Sequence, residues 1–197
     1  NWRWSEVELA FALDDCEPRV LFVDEQMMPM GRKLCETRPN IRLVAMTNAR
    51  VPDLPHFDDL LDAAPVADVG MTGDDLYGVF YTGGTTGFSK GVMLSHRNVL
   101  SGATVAQREG YWREDDTYLV AAPYYHASGT WPLISMLAAA GTSIVLPAFD
   151  ATAALRAFEE HKATTSLLVP TMIQMIIDHP NFSKTDLSSL KTVVYGA

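Results

Sequence analysis

Basic residues are scarce in this sequence, and nowhere do they cluster. The 197 residues include 15 Lys and Arg against 24 Asp and Glu, which gives a net charge of −9 at pH 7. Proteins that bind nucleic acid need a basic face to hold the phosphate backbone. The composition therefore predicts no nucleic-acid partner. Any anionic ligand has to be bound by a local site rather than by the overall charge.

Cysteine is scarce as well. Only Cys16 and Cys35 are present, and neither lies in a cluster of cysteines and histidines of the kind that binds zinc. A Cys16–Cys35 disulfide is one interpretation. The favoured interpretation is two buried, reduced thiols, because disulfides are rare in the cytoplasm. The cysteine content thus fits a cytoplasmic protein.

No apolar run is long enough to cross a membrane. Residues 117–149 contain no Asp, Glu, Lys or Arg, but prolines and glycines break them into short pieces. A spanning helix needs about 20 continuous apolar residues. We therefore expect buried strands and one buried helix here, and we predict no transmembrane segment.

Strand patterns and helix patterns alternate along the chain. The predicted strands lie at residues 20–23, 41–46, 77–81, 92–94, 117–121, 142–146, 164–169 and 191–195. The predicted helices lie at residues 6–14, within 25–37, at 57–64, from 96 onwards, at 151–161 and at 171–178. This order predicts an α/β fold with mostly parallel sheets flanked by helices.

Local patterns add detail to these elements. Ser5 and Ser95 precede helix patterns and are predicted N-caps. The apolar positions of the two amphipathic helices are Val7, Leu9, Ala10 and Leu13 in the first and Val99, Ala103 and Ala106 in the second. The apolar strands at 117–121 and 142–146 are typical of a sheet covered on both faces. Residues 47–75, rich in Pro, Gly and Asp, are predicted to be a subdomain linker or a surface excursion.

The most informative segment lies between two predicted strands. It reads Thr82-Gly83-Gly84-Thr85-Thr86-Gly87-Phe88-Ser89-Lys90-Gly91. Glycines let the backbone approach a ligand closely, successive N–H groups in such turns bind anions, and a lysine supplies charge for phosphates. A P-loop differs, because there Gly-Lys-Ser/Thr opens a helix. A ligand-free hairpin is the alternative, but the combination of glycines, threonines and lysine favours a phosphate-binding loop.

This segment resembles the phosphate-binding signature of the acyl-adenylate-forming superfamily, whose usual pattern is Thr-Ser-Gly-Thr-Thr-Gly-x-Pro-Lys-Gly. The superfamily includes acyl- and aryl-CoA synthetases, peptide-synthetase adenylation domains and luciferases. Gly83 stands where Ser is usual and Ser89 where Pro is usual, which is expected to loosen the loop. The residues that bind ATP by this resemblance are Thr82, Gly83, Gly84, Thr85, Thr86, Gly87 and Lys90.

Two further segments resemble the same superfamily. Tyr125 and His126 resemble an aromatic–His signature, which implies that they lie beside the α-phosphate and the carboxylate of the substrate. A histidine after a tyrosine is often purely structural, but its spacing from the glycine-rich segment favours a functional role. Gly196 and Ala197 resemble a backbone turn that passes along the acyl group and the adenine. The resemblance makes Lys90, Thr86 and His126 catalytic, and Thr85 and Thr86 ligands of Mg²⁺.

The resemblance, which is to the fatty-acid–CoA ligase type, implies a two-step reaction. ATP activates a fatty or other apolar carboxylic acid to an acyl-adenylate with release of pyrophosphate, and coenzyme A then forms the thioester. The uncharged residues 127–140 favour an apolar acyl group, because an amino acid would need an acidic partner for its amine. An amino-acid or aryl adenylation domain and a nucleotide-binding module without catalysis are the alternatives. The sequence leaves the oligomeric state open and is compatible with a homodimer.

The resemblance covers residues 1–197 and corresponds to an internal fragment of the large N-terminal AMP-binding domain. The family's later segments and its C-terminal domain have no counterpart in the sequence. We therefore expect residues 1–197 alone to be inactive, and the intact protein to be the enzyme.

Overall fold

The structure is a computed structural model that describes residues 1–83 and 89–196. It divides into two compact units. Unit 1 comprises Asn1–Thr72 and Leu76–Leu94, and unit 2 comprises Gly73–Asp75 together with the chain from Ser95 onwards.

Helices and strands alternate as the sequence predicted. The helices are α1 (Glu6–Cys16), α2 (Met28–Glu36), α3 (Phe57–Leu61), α4 (His96–Arg108), α5 (Ala127–Ala138), α6 (Ala151–Glu160) and α7 (Pro170–Ile177). The strands are β1 (Val20–Val23), β2 (Arg42–Ala45), β3 (Leu76–Tyr81), β4 (Gly91–Ser95), β5 (Thr117–Val120), β6 (Thr142–Val145), β7 (Thr165–Leu168) and β8 (Thr192–Tyr195). A 3-10 turn spans Phe182–Lys184.

Unit 1 is built on the parallel pair β1–β2, in which Val20 is level with Arg42 and Val23 with Ala45. The helix α2 packs closely on this pair because Gly31 has no side chain. A Cβ at position 31 would lie 2.8 Å from Val23 Cγ1. The buried hydrophobic residues that the structure describes in this unit are Val23, Leu34, Leu43, Val44 and Ala45.

Ser5 caps α1, as predicted. Its hydroxyl accepts from the Glu8 N–H at 3.4 Å, and the Glu8 carboxylate accepts from the Ser5 N–H at 2.8 Å, which completes a capping box. The amphipathic prediction is correct only in part, because Leu9 and Leu13 are half-buried whereas Val7 is 64% exposed. No residue of α1 is fully buried. The helix α1 therefore packs on unit 1 through individual half-buried side chains rather than through a fully buried face.

The two cysteines differ in exposure. Cys16 is exposed, Cys35 is half-buried, and both are free thiols, so the disulfide alternative is not realised. The prediction of two buried thiols is wrong for Cys16, because this residue ends α1 at the surface, where Glu17 (φ 45°) turns the chain out of the helix. Burial raises the pKa of the Cys35 thiol.

Residues 47–75 contain the short helix α3 and otherwise no helix or strand. The segment is held by His56, which is 5% exposed. Its Nδ1 accepts from the Asp58 N–H at 3.2 Å, which leaves Nε2 to donate to the Thr47 carbonyl at 2.8 Å. The interpretation of this segment as a subdomain linker stays a prediction.

Unit 2 contains a four-stranded parallel sheet in the order β6-β5-β7-β8. Alternate residues of β5 point to opposite faces. The buried residues are Leu119, Ala121, Ala151, Ala154, Leu155, Ala157, Phe158, Ala163, Leu168 and Ile176 in one cluster and Ala106, Trp112, Tyr118, Val120 and Met136 in the other. The helices α6 and α7 thus cover one face of the sheet, and α4 and α5 cover the other.

The prediction of strands covered on both faces is correct for β5 and wrong for β6. Tyr118, Leu119 and Val120 of β5 are at most 1% exposed. Val145 of β6 is 50% exposed. The difference arises because β6 is an edge strand, with a neighbouring strand on one side only.

The helix α4 begins and packs as predicted. The Ser95 hydroxyl accepts from the Asn98 N–H at 3.2 Å, and the Asn98 side chain accepts in return from the Ser95 N–H at 3.0 Å. The buried residues of this helix are Val99, Ala103 and Ala106. These are the three residues that the helical spacing singled out.

The uncharged residues 117–149 form β5, α5 and β6, which confirms the prediction of strands and one helix, although only β5 is buried. The helix α5 has 12 residues. Within residues 1–83 and 89–196, no helix has the length and apolar character needed to cross a membrane.

The start of α5 depends on a very close contact. Gly129 lies in the first turn, against the chain that leaves β5. A Cβ at this position would lie 2.2 Å from the Pro123 carbonyl oxygen and 2.7 Å from that of Ala122. The obstacle is backbone, so it cannot move aside as a flexible side chain can.

Replacing Phe158 by Ala is expected to destabilise unit 2 by about 3–5 kcal/mol, because its side chain is 2% exposed in the α6–α7 core cluster. Hydrogen exchange at the β5 amides measures this change, since it reports the opening of unit 2. Arg156→Ala is the control on the exposed side of α6. It removes only a 3.8 Å ion pair with Glu160, so protection should change by less than about 0.5 kcal/mol. Unchanged hydrogen-exchange protection in Phe158→Ala would contradict the assignment of Phe158 to the stabilising core of unit 2.

Gly129→Ala is expected to lower the melting temperature, because the added methyl group meets backbone at 2.2 Å. Gly102 is the matched control, since it lies within α4 and a Cβ there would have no atom within 4 Å. Gly102→Ala should therefore stabilise unit 2 by about 0.5–1 kcal/mol through its higher helix propensity. Thermal unfolding compares the two variants. Equal effects of both substitutions would show that the contact at Gly129 does not constrain the fold.

Candidate functional site

The predicted phosphate-binding loop is carried by the strands β3 and β4, which are hydrogen-bonded neighbours. The loop closes through the Thr82 N–H, which donates to the Lys90 carbonyl at 3.0 Å. The Lys90 N–H in turn donates to the Thr82 hydroxyl at 3.3 Å. This pair of bonds holds the two ends of the loop together. It confirms that the segment is borne on a hairpin and does not open a helix as a P-loop does.

The side chains at the ends of the loop are open to solvent. Thr82, Gly83 and Lys90 are exposed, and Ser89 is half-buried. Among the described residues, no carboxylate lies within ion-pair distance of the Lys90 ammonium group. Its charge is therefore not neutralised by a neighbour in that part of the chain, as a lysine that binds phosphate requires.

The centre of the loop lies outside the described residues. This applies to Gly84, Thr85, Thr86 and Gly87, so their assignment to ATP and the assignment of Thr85 and Thr86 to Mg²⁺ stay predictions. In the ranges that the structure does describe, no group of three or more His, Cys, Asp or Glu side chains could hold a metal ion.

Tyr81, the last residue of β3, anchors the base of this hairpin. Its hydroxyl donates to Asp15 Oδ2 at 2.6 Å and lies 3.2 Å from the Ala12 carbonyl, both on α1. The edge of Trp4 meets its ring at a centroid distance of 6.0 Å. Burial, together with the hydrogen bond to Asp15, raises the pKa of the Tyr81 phenol, so the phenol stays protonated well above neutral pH. Sequence reasoning missed this contact because its partners lie 66 residues apart.

The aromatic–His segment lies in unit 2, directly after β5. Tyr125 is half-buried and His126 is exposed, and their ring centroids are 4.7 Å apart at an angle of 60°. His126 is the N-cap of α5, but its side chain makes no capping hydrogen bond. The segment therefore presents an imidazole to solvent at the start of a helix.

The backbone around His126 is closely fixed. The His126 N–H donates to the Pro123 carbonyl at 3.1 Å, and the Gly129 N–H donates to the His126 carbonyl at 2.9 Å. The Thr130 hydroxyl donates to the Tyr124 carbonyl at 2.5 Å. Burial raises the pKa of the Tyr124 phenol. The positioning role of Thr130 could be found only from this distance, since Thr130 lies in no recognisable signature.

The predicted acyl-site residues of unit 2 share one edge of its sheet. Tyr125 and His126 follow β5, and Gly196 follows β8. The strand β7 lies between β5 and β8, and all three are parallel. The carboxyl ends of β5 and β8 are therefore two strand spacings apart, or about 10 Å. Ala197 lies outside the described residues.

The strand order predicts a crevice at this edge. The helix that follows β5 covers one face of the sheet, and the helix that follows β7 covers the other. Adjacent parallel strands whose helices depart to opposite faces leave a crevice at their carboxyl ends, where α/β proteins bind ligands. Tyr125 and His126 end the connection from β5 to α5, so this rule predicts that they lie at the crevice.

Comparison with known proteins agrees with this architecture. The sequence matches the AMP-binding enzyme family over residues 1–197. Among the curated relatives is the medium/long-chain-fatty-acid–CoA ligase FadD8 of Mycobacterium tuberculosis. It is 33% identical, and the match covers 98% of this chain and 35% of the relative. The chain thus spans about a third of the length of that protein.

Solved structures show the same fold. The inhibitor-bound N-terminal domain of FACL13 from Mycobacterium tuberculosis matches all of this chain with a TM-score of 0.85 at 24% identity, over 49% of its own length. ATP-bound MatB from Rhodopseudomonas palustris matches 99% of this chain with a TM-score of 0.83 at 27% identity, over 38% of its own length. Given the match along its whole length, the chain belongs to the AMP-binding enzyme family.

Proposed function

We propose that the full-length protein is an ATP-dependent acid–thiol ligase that forms acyl-CoA. The observation that carries this proposal is the hairpin closed by Thr82 and Lys90, whose lysine is exposed and has no carboxylate partner among the described residues, in a chain of the AMP-binding enzyme family. The relative FadD8 is named a fatty-acid–CoA ligase, and MatB was crystallised with ATP, which supports the same substrates here.

In the proposed first step, a substrate carboxylate oxygen attacks the α-phosphorus of ATP. The bond from that phosphorus to the oxygen bridging to the β-phosphate breaks, and pyrophosphate leaves with the electron pair. Negative charge therefore grows on the departing β- and γ-phosphates. A preformed positive group near them stabilises the transition state more than the ground state. We assign this role to Lys90.

Mg²⁺ would accompany the nucleotide. Threonine hydroxyls are hard oxygen ligands of the kind that Mg²⁺ accepts alongside phosphate oxygens and water. We assign Thr85 and Thr86 to this role on the sequence alone. When bound, the ion would neutralise charge on the phosphates, while Thr82, Gly83, Gly84, Gly87 and Lys90 would hold them.

The acyl side is assigned to the crevice of unit 2. Tyr125, His126, Gly196 and Ala197 are proposed to contact the acyl carboxylate and the adenylate formed from it. The imidazole of His126 is free of the helix cap, so it can orient the carboxylate. It need not remove a proton, because a carboxylate is already ionised at neutral pH.

The second proposed step transfers the acyl group to coenzyme A. The thiol sulfur bonds to the acyl carbonyl carbon, the bond from that carbon to the AMP oxygen breaks, and the thiol proton is released. An apolar acyl group is favoured because residues 127–140 carry no charge. Amino-acid or aryl adenylation is the second candidate, and a nucleotide-binding module without catalysis is the third.

Several features of the whole protein remain predictions. They are a C-terminal domain beyond residues 1–197, inactivity of these residues alone, a homodimeric assembly and a cytoplasmic location. The first two rest on the family resemblance, and the location rests on the cysteine content. The relative FadD8 is about three times as long as this chain, which supports an additional domain.

Lys90→Ala in the full-length protein is expected to slow carboxylate-dependent pyrophosphate exchange by about 100- to 1,000-fold, because one preformed charge at the leaving group is lost. Lys184→Ala is the control, since Lys184 is also exposed but lies in the 3-10 turn of unit 2. It should leave exchange unchanged. Equal exchange in the two variants would remove Lys90 from the proposed mechanism.

The same assay, run with fatty, aryl and amino acids in turn, distinguishes the candidate functions. Exchange with fatty acids alone supports the proposed ligase. Exchange with amino or aryl acids alone favours the second candidate. Binding of MgATP without exchange for any acid would favour the binding module.

A further inference from the structure

We propose that the Tyr81–Asp15 pair is a positioning device that holds the ends of the phosphate-binding loop in register for nucleotide. The inference rests on the phosphate-binding part of the proposed function. Neither residue is assigned a contact with substrate. Tyr81 acts on the loop through the adjoining backbone, and Asp15 acts through Tyr81.

The first argument is the weakness of the hairpin by itself. Within residues 1–83 and 89–196, β3 and β4 form a sheet of two strands. A lone two-stranded hairpin is at best marginally stable in water and needs packing against another element. The contact from Tyr81 to α1 supplies such packing at the end of the hairpin that carries the loop. Its hydroxyl reaches a carboxylate at 2.6 Å, which is the length of a strong, charge-assisted hydrogen bond.

The second argument is that the pair meets both strands at the loop. Tyr81 directly precedes Thr82 on β3, whereas Gly91 directly follows Lys90 on β4. A Cβ at Gly91 would lie 3.2 Å from Tyr81 Cζ, 3.4 Å from Asp15 Oδ2 and 2.7 Å from Val79 Cγ1. The phenol and the carboxylate are therefore seated directly against the backbone of β4.

These contacts restrain the lysine from two directions. On one side, the Lys90 carbonyl accepts from the Thr82 N–H, and the Lys90 N–H donates to the Thr82 hydroxyl. On the other side, the next residue, Gly91, is covered by Tyr81 and Asp15. Loss of the Tyr81–Asp15 bond should let Tyr81 and Gly91 shift, and with them the backbone of Lys90. A fixed backbone at Lys90 strengthens binding, because less conformational entropy is then lost when the ligand binds.

The test uses Tyr81→Phe, Asp15→Asn and the double variant in the full-length protein. Tyr81→Phe removes only the hydroxyl and keeps the ring on Gly91. Each single variant should raise the KM and the Kd for MgATP about three- to tenfold, the range expected for one such hydrogen bond. The KM for the carboxylic acid should stay unchanged. The double variant should bind MgATP no more weakly than Tyr81→Phe alone, because Asp15→Asn weakens the same hydrogen bond that Tyr81→Phe removes.

Asp14→Asn is the matched control. Asp14 is the neighbouring aspartate on α1, and it pairs at 2.7 Å with Arg38, which lies just after α2, instead of with the hairpin. Its substitution weakens the tie between α1 and Arg38 without touching the loop. Thermal unfolding measures how far α1 is loosened, and the KM for MgATP should stay at the wild-type value. A rise in this KM for Asp14→Asn equal to that for Asp15→Asn would overturn the proposal, since any loosening of α1 would then suffice.

The outcomes separate this inference from the proposed function. Normal pyrophosphate exchange together with an unchanged Kd for MgATP in Tyr81→Phe and Asp15→Asn would overturn the positioning role and leave the ligase standing. Absence of exchange for every acid, with the expected shift in Kd, would overturn the ligase and support the positioning role. Additive losses in the double variant would show that Asp15 does not act through Tyr81.

Discussion

The burial of β5 on both faces fixes where the other elements of unit 2 can lie. Tyr118 and Val120 require an apolar cover on one face of the sheet, and Leu119 requires one on the other. The helices α4 and α5 supply the first cover, and α6 and α7 supply the second. Because the helix after β5 and the helix after β7 depart to opposite faces, a crevice is expected at the carboxyl ends of these strands. The position of His126 therefore follows from the way a hydrophobic strand is covered.

Among the described residues, unit 1 has fewer buried hydrophobic side chains than unit 2. Its described core consists of a few residues around β1 and β2, and its hairpin β3–β4 is not part of that pair. The hairpin is held by individual polar and aromatic contacts instead, from Tyr81 to Asp15 and from Tyr81 to Trp4. Such contacts are directional, so they set the position of a strand end more closely than apolar packing does. A loop that is proposed to place a charge benefits from this kind of support.

The sequence predicted the order and type of the elements well, because their patterns are local. Ser5 and Ser95 cap helices, and the spacing of Val99, Ala103 and Ala106 identifies a buried face. Predictions that depended on tertiary position were less successful. Val145 has the same apolar character as the residues of β5, but its strand lies at the sheet edge, and Cys16 ends its helix at the surface.

In the candidate site too, local motifs were predictable from the sequence and tertiary contacts were not. Lys90, Tyr125 and His126 lie in recognisable local motifs, whereas the contact of Tyr81 with Asp15 joins distant parts of the chain. The hydrogen bond from Thr130 to Tyr124 is local in sequence, but no residue pattern predicts it. Motifs identify the groups that meet a ligand, and only the folded chain identifies the groups that hold them in place.

The contact at Gly129 has a consequence for genetic screens. Every missense change of a glycine codon adds at least one carbon atom, and at this position that atom meets the Pro123 carbonyl. Selection for loss of enzymatic activity would therefore recover Gly129 as readily as residues that touch substrate. Measurements of protein abundance in the same variants would separate the two classes, because Gly129 variants would be depleted from the cell while Lys90 variants would accumulate normally.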